Sequence, residues 1–236
     1  MEAISDIVKK ILPERIHYFL GKLKTRLCGD EYVVKSYSQE GEDIILREVL
    51  NYKNGFYVDV GAHHPKRFSN TYHFYRNNWR GINIDPKIGM KRQFDKIRPR
   101  DINLEMGIAD HKGEAEFYVF DEPALSTFSK DVAMRRDKET KYMVKQVNVD
   151  RLENILEMHC KAIQIDLLNI DVEGLEWEVI KSNDWHKFRP KILLVEMDSF
   201  DWKGFNNPIH VFLNEHSYEI FAKTPRTAFY RDISKN

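Results

Sequence analysis

From residue 36 onward, short apolar segments typical of buried strands alternate with segments whose apolar residues recur at helical spacing. This alternation favours an α/β fold with a mostly parallel, doubly wound sheet and helices on both faces. In such sheets ligands bind beyond the carboxyl ends of the strands, so the residues at those ends are candidates for a functional site. The strands that the pattern predicts are residues 56–60, 81–85, 102–106, 165–170 and 192–196.

Three further segments complete the predicted domain, which covers residues 36–236. Residues 114–120 alternate weakly and either extend the sheet or form a hairpin. Residues 121–145 are polar and mixed, which predicts a mobile insertion over the core. Residues 218–223 and 227–231 are predicted to close the sheet as an antiparallel pair.

Residues 1–35 are predicted to form an N-terminal helical extension. The first 27 residues carry six Lys and Arg against three Asp and Glu, and Pro13 separates two short helical patterns. This segment is expected either to pack on the domain or to contact an anionic surface peripherally, at the inner face of a membrane.

Composition narrows the class of protein. Lys and Arg total 37 and Asp and Glu total 37, so the excess of positive charge typical of a nucleic-acid-binding protein is missing. The two cysteines, Cys28 and Cys160, do not make a disulfide framework, and the first residues show no secretory signal. We therefore expect a cytoplasmic protein that does not bind nucleic acid.

Acidic residues mark the ends of the first two predicted strands. Asp59 lies inside the first strand, just before the turn at Gly61, and a buried carboxylate is costly unless it is paired. Asp85 ends the second strand, where a carboxylate can accept hydrogen bonds from ribose hydroxyls. Together these residues predict a nucleoside site, although the second and third glycines of the dinucleotide fingerprint are missing.

A second acidic segment follows the fourth predicted strand. Asp171 and Glu173 stand two residues apart, so both side chains point to the same side if the strand continues. They are expected to line one pocket, whereas the alternative is that Glu173 caps the next helix and Asp171 makes a structural pair.

Four segments of the sequence carry a resemblance through their residues, order and spacing. They are residues 38–43, 58–62, 83–86 and 171–174. Together they resemble the FkbM family of S-adenosylmethionine-dependent methyltransferases. The resemblance implies a class I methyltransferase, Rossmann-like sheet of about seven strands, with S-adenosyl-L-methionine bound over the first two strand ends. It also implies O-methylation, most often of a sugar hydroxyl on a glycan or a glycosylated natural product.

The resemblance also implies roles for particular residues. Asp59 and Gly61 are expected near the amino-acid part of the donor, and Asp85 at its ribose. Ser38 and Gln39 are expected to close that end of the site, and Asp110 to lie near the adenine. The sequence departs from many class I enzymes at His63 and His64, where those enzymes are rich in glycine.

The base that receives the hydroxyl proton is open among four residues, which are His63, His64, Asp171 and Glu173. With Glu196 added, the same residues have the chemistry of ligands for a divalent metal, although their spacing matches no known signature. Trp202, Phe205 and Arg135 are candidates for a sugar-binding platform or for packing at its rim.

Three alternative functions remain from the sequence. The first is a metal-dependent hydrolase that uses His63, His64, Asp171 and Glu173. The second, a nucleotide-sugar oxidoreductase, is disfavoured by the missing glycines. The third is a non-catalytic binding domain held at a membrane by residues 1–27. The fold alone does not decide between these functions.

Overall fold

A computed structural model describes Ile16, Tyr18 and residues 32–136, 141–197 and 207–234. The chain divides into two compact units, residues 1–35 and residues 36–236, and all elements named below belong to the second unit. The basic segment 1–27, with its predicted peripheral membrane contact, lies outside the described residues apart from Ile16 and Tyr18. Among the described residues, no helix combines the length and the apolar character needed to cross a membrane.

The second unit alternates helices and strands, as the sequence pattern predicts. The helices are α1 (Glu42–Val49), α2 (Tyr72–Arg76), α3 (Met90–Ile97), α4 (Lys130–Arg136), α5 (Leu152–His159), α6 (Glu176–Lys181) and α7 (Pro208–Glu215). The strands are β1 (Phe56–Val60), β2 (Arg80–Ile84), β3 (Ile102–Leu104), β4 (Gly107–Ile108), β5 (Gly113–Phe120), β6 (Tyr142–Asp150), β7 (Leu167–Ile170), β8 (Ile192–Glu196), β9 (Tyr218–Lys223) and β10 (Thr227–Asp232).

The main sheet has seven strands in the order β3-β2-β1-β7-β8-β10-β9. The first five strands in this order, β3, β2, β1, β7 and β8, are parallel, and β10 runs antiparallel to both of its neighbours. The mostly parallel sheet and the closing antiparallel pair are therefore confirmed. Because β1 lies beside both β2 and β7, the residues that follow these three strands meet at one edge of the sheet.

Side chains that alternate along the strands supply a core on each face of the sheet. Val58 and Val60 pack with residues of α5, α6 and α7 on one face, whereas Tyr57 packs with residues of α1 and α2 on the other. Helices therefore cover both faces, and the short strands are buried as a parallel sheet requires.

A second sheet has the order β4-β6-β5, and its long antiparallel pair joins β5 to β6. The segment 114–120 therefore forms an antiparallel pair with β6 and lies outside the main sheet. Residues 121–145, expected to form a mobile insertion, contain regular elements in their described part. A 3-10 helix (Pro123–Leu125), α4 and the start of β6 lie there. Most of the described residues of this segment are exposed or half-buried, which agrees with its polar composition.

Candidate functional site

A cleft, called the main cleft below, opens at the carboxyl ends of β1, β2 and β7. It encloses about 750 Å³ of space between atoms, its open mouth included. Residues after each of these strands line it, and the segment around the 3-10 helix contributes Pro123 and Ala124. The predicted site residues that line it are Gln39, Asp59, Gly61, His63, Asp85, Asp171 and Glu173.

Gly61 allows the turns after β1 and β7 to lie in contact. Its φ of 81° is in the left-handed region, and a Cβ there would lie 1.6 Å from the carbonyl oxygen of Asp171. Only glycine fits such an approach without displacing backbone. The sequence predicts a close backbone approach at this position, and the structure shows that this approach is to the Asp171 turn.

Asp85 follows β2 with its carboxylate held by two backbone groups. The N–H groups of His63 and Lys87 donate to its two oxygens at 2.8 and 2.9 Å. Burial raises the pKa of the Asp85 carboxyl to about 6, although these hydrogen bonds oppose the shift. Each oxygen retains a lone pair, so the carboxylate can accept two further hydrogen bonds from vicinal hydroxyls, as a ribose presents them.

Asp59 belongs to a row of buried polar side chains that crosses four strands. Parallel register places Asn103 of β3, Asn83 of β2, Asp59 of β1 and Asn169 of β7 side by side. We call these four residues the polar row. Asn83 donates to Asn103 at 2.8 Å and Asn169 donates to Asp59 at 2.9 Å. Asp59 also accepts a 2.6 Å hydrogen bond from Thr71, so both of its oxygens are satisfied.

Arg98 balances the charge of the polar row. Its guanidinium is fully buried after α3 and donates to side-chain or carbonyl oxygens of Pro65, Ser69, Thr71, Asn83 and Tyr57 at 2.6–3.4 Å. Its hydrogen bond to Thr71 links it to Asp59. Burial raises the pKa of the Asp59 carboxyl, and Thr71, Arg98 and Asn169 oppose this shift. The sequence patterns do not assign Arg98, Thr71 or Asn169 to the site. The sequence signal for Asn169 is a polar residue inside an apolar strand, whereas Arg98 and Thr71 lie outside the strands and carry no such signal.

Ser38 is placed outside the lining of the main cleft. Its hydroxyl accepts a 3.2 Å hydrogen bond from the Asp43 N–H and donates to the Asp43 carboxylate at 2.9 Å. Ser36, the Tyr37 N–H and Arg47 also donate to this carboxylate. Burial opposes the charge of Asp43, but the hydrogen bonds outweigh it and its pKa lies below the usual value. In this structure Ser38 holds the turn before α1.

Gln39 is the residue of that motif that lines the main cleft. The acidic residues after it fix the motif to the turn between β9 and β10. Glu40 accepts from the Arg226 side chain at 3.0 Å, and Glu42 accepts from Thr224 and Thr227 at 3.3 and 3.4 Å. The motif therefore positions Gln39 from two sides.

His63 and His64 have different surroundings. His63 lines the cleft with φ of 51°, and burial together with the charges of Lys87 and Arg67 lowers its pKa to about 4. Its Nε2 atom contacts no hydrogen-bond partner among the described residues. His64 is not among the lining residues, and its Nδ1 accepts from the N–H groups of Lys66 and Arg67. His63 is therefore neutral near pH 7, and His64 stabilises its own loop.

Asp171 and Glu173 converge with Glu196, which ends β8. Strand β7 ends at Ile170 and Glu173 has φ of 57°, so a turn rather than a continued strand brings Asp171 and Glu173 into one cleft. One oxygen from each of the three carboxyl groups lies within 4.8 Å of the others. We call Asp171, Glu173 and Glu196 the carboxyl junction.

A positive charge already lies beside the carboxyl junction. Among the described His, Cys, Asp and Glu residues, only these three converge closely enough to hold an ion. Arg136 already pairs with Glu173 at 2.6 Å, and burial raises the pKa of both Asp171 and Glu196. His63 and His64 are not part of the cluster. The four-residue metal site predicted for a hydrolase is therefore not brought together.

The remaining predicted site residues either lie away from the main cleft or fall outside the described residues. Asp110 is exposed beside His111 and is not among the residues that line the main cleft. Trp202 and Phe205 lie outside the described residues. Arg135 lines a second cavity of about 1040 Å³, open solvent included, together with Arg136, Glu173, Glu196, Asn207 and Ile209.

The sequence matches none of the curated proteins with which it was compared. Among solved structures, methyltransferase FkbM from Methylobacillus flagellatus KT is 13% identical with a TM-score of 0.48. That alignment covers 83% of this chain and 48% of the other, so this chain spans about half of its length. A methyltransferase from Geobacter sulfurreducens is 11% identical with a TM-score of 0.47, over 99% of this chain and 97% of the other.

A third structure was solved with ligands. The 1,6-didemethyltoxoflavin-N1-methyltransferase of Burkholderia thailandensis, with bound 1,6-didemethyltoxoflavin and S-adenosylhomocysteine, is 10% identical with a TM-score of 0.44. The alignment covers 94% of this chain and 90% of the other. The seven-stranded, mostly parallel α/β sheet is the class I methyltransferase fold that the resemblance implied. The methyltransferase FkbM domain matches residues 59–220, more than half of the chain, and the chain therefore belongs to the FkbM methyltransferase-domain family.

Proposed function

We propose that this protein transfers a methyl group from S-adenosylmethionine to a hydroxyl oxygen of a sugar, in a glycan or a glycosylated natural product. One observation carries the proposal. The same cleft is lined by Asp85, whose carboxylate can accept ribose hydroxyls, and by Asp171, which can receive a proton. Family membership supports the methyl donor.

The residues present fit the donor. Asp85 would hold the ribose, and the turn at Gly61 and His63 would face the amino-acid part together with Gln39. The donor, when bound, supplies a methyl group on a sulfonium whose sulfur is already a good leaving group. The protein then has to position the acceptor oxygen and remove one proton, and both effects lower the barrier.

We place the acceptor in the second cavity, which meets the main cleft at Glu173. Its lining combines carboxylates, arginines and an amide with the apolar side chains of Met197 and Ile209. Planar polar groups beside apolar surface suit a sugar, which presents both hydroxyls and C–H faces. Asp171, which lines the main cleft and lies close to Glu173 and Glu196 of the second cavity, takes the hydroxyl proton in this scheme.

Calorimetric titration with S-adenosylmethionine and S-adenosylhomocysteine tests the donor site. We expect binding to the wild type and about tenfold weaker binding to Asp85→Asn, because an amide loses one acceptor and the charge. Asp110→Asn is the matched control and should bind like the wild type. Absence of binding to both compounds would refute the methyltransferase proposal, and a loss in Asp110→Asn alone would move the site toward Asp110.

The acceptor is tested separately with methyl-labelled donor. Methyl glycosides of hexoses, deoxyhexoses and uronic acids are offered as a panel, each with magnesium and with EDTA. Label transfer to a glycoside oxygen, lost when Ile209→Trp fills the second cavity, supports the assignment. Label on nitrogen or carbon in place of oxygen would contradict O-methylation while leaving the donor site intact.

A further inference from the structure

Asn70, in the loop before α2, lines two spaces of the protein. One is the main cleft, and the other is a smaller cavity that Gln39, Asp171 and Arg226 also line, called the side cavity below. The residue is only 8% exposed, although it carries a polar amide. A buried polar group needs hydrogen-bond partners, and the partners of this amide decide what it can bind.

The loop that carries Asn70 is held on both sides of this residue. Buried Arg98 donates to the hydroxyls of Ser69 and Thr71, its two neighbours in the chain, at 2.6 and 2.8 Å. The Ser69 hydroxyl also accepts from the N–H groups of Thr71 and Tyr72 at 3.3 and 3.1 Å. These bonds fix the position from which the Asn70 amide extends.

A chain of hydrogen bonds fixes which way that amide points. The Asp59 carboxylate accepts from Nδ2 of Asn169 at 2.9 Å, and the Asn169 oxygen accepts from Nδ2 of Asn70 at 2.9 Å. Turning either amide round would place oxygen against oxygen. The Oδ1 atom of Asn70 accepts no hydrogen bond among the described residues. Since this oxygen is not sealed inside the protein, it faces the spaces that Asn70 lines.

Asp59 reaches a ligand only through this chain. It is 2% exposed, and its two oxygens accept from Thr71 and Asn169. Hydrogen bonds in a chain polarise one another, so the carboxylate makes the Asn70 oxygen a stronger acceptor. The end of the chain that meets the cleft is thus an oxygen backed by a negative charge, which suits a cationic hydrogen-bond donor such as an ammonium group.

Gln39 supplies a complementary group. It lines the same two spaces as Asn70. The amide orientation that satisfies its neighbour turns the Gln39 oxygen toward Arg226, at 2.9 and 3.2 Å from the two terminal nitrogens of the guanidinium. The amide nitrogen of Gln39 is then turned away from Arg226 and can donate. Together, an acceptor and a donor that line the same spaces fit an amino-acid group, which presents an ammonium and a carboxylate on one carbon.

We propose that Asn70 is a specificity-determining residue of the donor site, whose Oδ1 accepts a hydrogen bond from the α-ammonium of S-adenosylmethionine while Gln39 donates to the α-carboxylate. The inference rests on the proposed methyl transfer and deepens it, because it assigns the group that recognises the amino-acid part of the donor. In this scheme Asp59 acts on the ligand through Asn169 and Asn70 and does not touch it.

Analogues of S-adenosylhomocysteine that lack one group measure this contact without any acceptor. The desamino analogue keeps the α-carboxylate, and the decarboxylated analogue keeps the α-ammonium. Calorimetry on the wild type should show the desamino analogue bound about thirtyfold more weakly than S-adenosylhomocysteine, because a hydrogen bond to a charged group is lost. We call this ratio of dissociation constants the amino preference.

Two substitutions of Asn70 separate recognition from structure. Asn70→Leu removes the oxygen, so the amino preference should fall to about threefold, while affinity for the decarboxylated analogue relative to S-adenosylhomocysteine changes accordingly in its favour. Asn70→Asp keeps an oxygen toward the cleft and should retain an amino preference of at least about thirtyfold. Both variants lose the hydrogen bond to Asn169 and should therefore lose similar stability in urea.

Asn103→Leu is the matched control. Asn103 belongs to the polar row and accepts from Asn83, but it is not among the residues that line either space. This variant should lose stability and keep the wild-type amino preference. Asn70→Ala replaces Asn70→Leu if the latter does not fold, as judged by circular dichroism.

The outcomes separate this inference from the proposed function. If the wild type binds neither S-adenosylmethionine nor S-adenosylhomocysteine, the proposed function itself is refuted. If it binds the desamino analogue as tightly as S-adenosylhomocysteine, or if Asn70→Leu keeps the amino preference, the inference is overturned and donor binding stands. An equal loss of the preference in Asn70→Asp would show that Asn70 is only structural. A loss in Asp171→Asn in place of Asn70→Leu would assign the ammonium to Asp171.

Discussion

The polar row and the carboxyl junction lie at the same end of the sheet but balance their charges differently. In the polar row, Asp59 is hydrogen-bonded on both oxygens and a buried Arg98 supplies a compensating charge. In the carboxyl junction, three acidic groups meet, and Arg136 forms an ion pair with one of them, Glu173. A satisfied buried network fixes structure, whereas an under-compensated one has an altered pKa that chemistry can use.

The two regions also give different roles to acidic residues that look alike in the sequence. Asp59 and Asp171 both follow apolar strand residues, yet Asp59 is held by neutral and positive partners, whereas Asp171 lies close to two further carboxyl groups. We therefore expect substitutions in the polar row to affect stability first. Substitutions in the carboxyl junction should affect proton transfer and leave stability unchanged or improved.

The largest effect is expected for Arg98→Met. The variant leaves the carbonyl of Pro65 and the side chains of Ser69, Thr71 and Asn83 without their buried donor. The free energy of unfolding should fall by about 3–5 kcal/mol. Urea unfolding followed by circular dichroism measures this change. Arg100→Met, at an exposed arginine that donates to the Tyr75 carbonyl, is the control and should cost less than about 1 kcal/mol. Equal losses in both variants would contradict a special role for Arg98.

Gly61→Ala should push apart the turns that follow β1 and β7, which lie between the polar row and the carboxyl junction. Its new Cβ would overlap the Asp171 carbonyl, so the free energy of unfolding should fall by about 3 kcal/mol. Gly89→Ala is a matched control because its φ of 87° is similar, but no atom lies within 4 Å of the added Cβ. That variant should lose only about 1 kcal/mol. Similar losses at both positions would show that backbone strain, and not the contact with Asp171, dominates.

Glu196→Gln should raise stability at pH 8. The raised pKa means that the folded protein keeps a proton that the unfolded chain releases above its ordinary value of 4.5. Wild-type stability therefore declines as pH rises above that value, and a neutral glutamine avoids the loss. We expect a gain of about 1–2 kcal/mol at pH 8 and little difference at pH 5, measured by urea unfolding. A variant that is less stable than the wild type at pH 8 would show that Glu196 makes a structural contact.

Donor affinity should depend on pH through Asp85. Its carboxylate must be ionised to accept both ribose hydroxyls, and its pKa is raised to about 6 in the free protein. The dissociation constant for S-adenosylhomocysteine should be constant above pH 7 and rise about tenfold by pH 5. Asp85→Asn should lose this dependence. If the variant keeps the wild-type pH profile, another group controls binding.

Much of the framework could be predicted because it follows from residue order. Apolar segments located the strands of the main sheet, and strand ends placed Asp85, Gly61 and Asp171 around one cleft. The polar row could not be predicted with the same rule, because register between strands is not visible along one sequence. Arg98 and Arg100 look alike as neighbours in a basic segment, and only packing buries the first.

Ser38 and Gln39 test how well a motif predicts the role of each of its residues. The motif assigns both residues to the donor site, whereas the structure places only Gln39 of the two in the main cleft. Ser38→Ala removes a hydrogen bond to Asp43 and should lower the free energy of unfolding by about 1 kcal/mol. Donor affinity should stay within about twofold. Gln39→Ala should show the opposite pattern, with stability nearly unchanged and a several-fold weaker affinity. Parallel calorimetry and unfolding on both variants compare these effects. Weaker donor binding in Ser38→Ala, at unchanged stability, would return Ser38 to the site that the motif assigns to it.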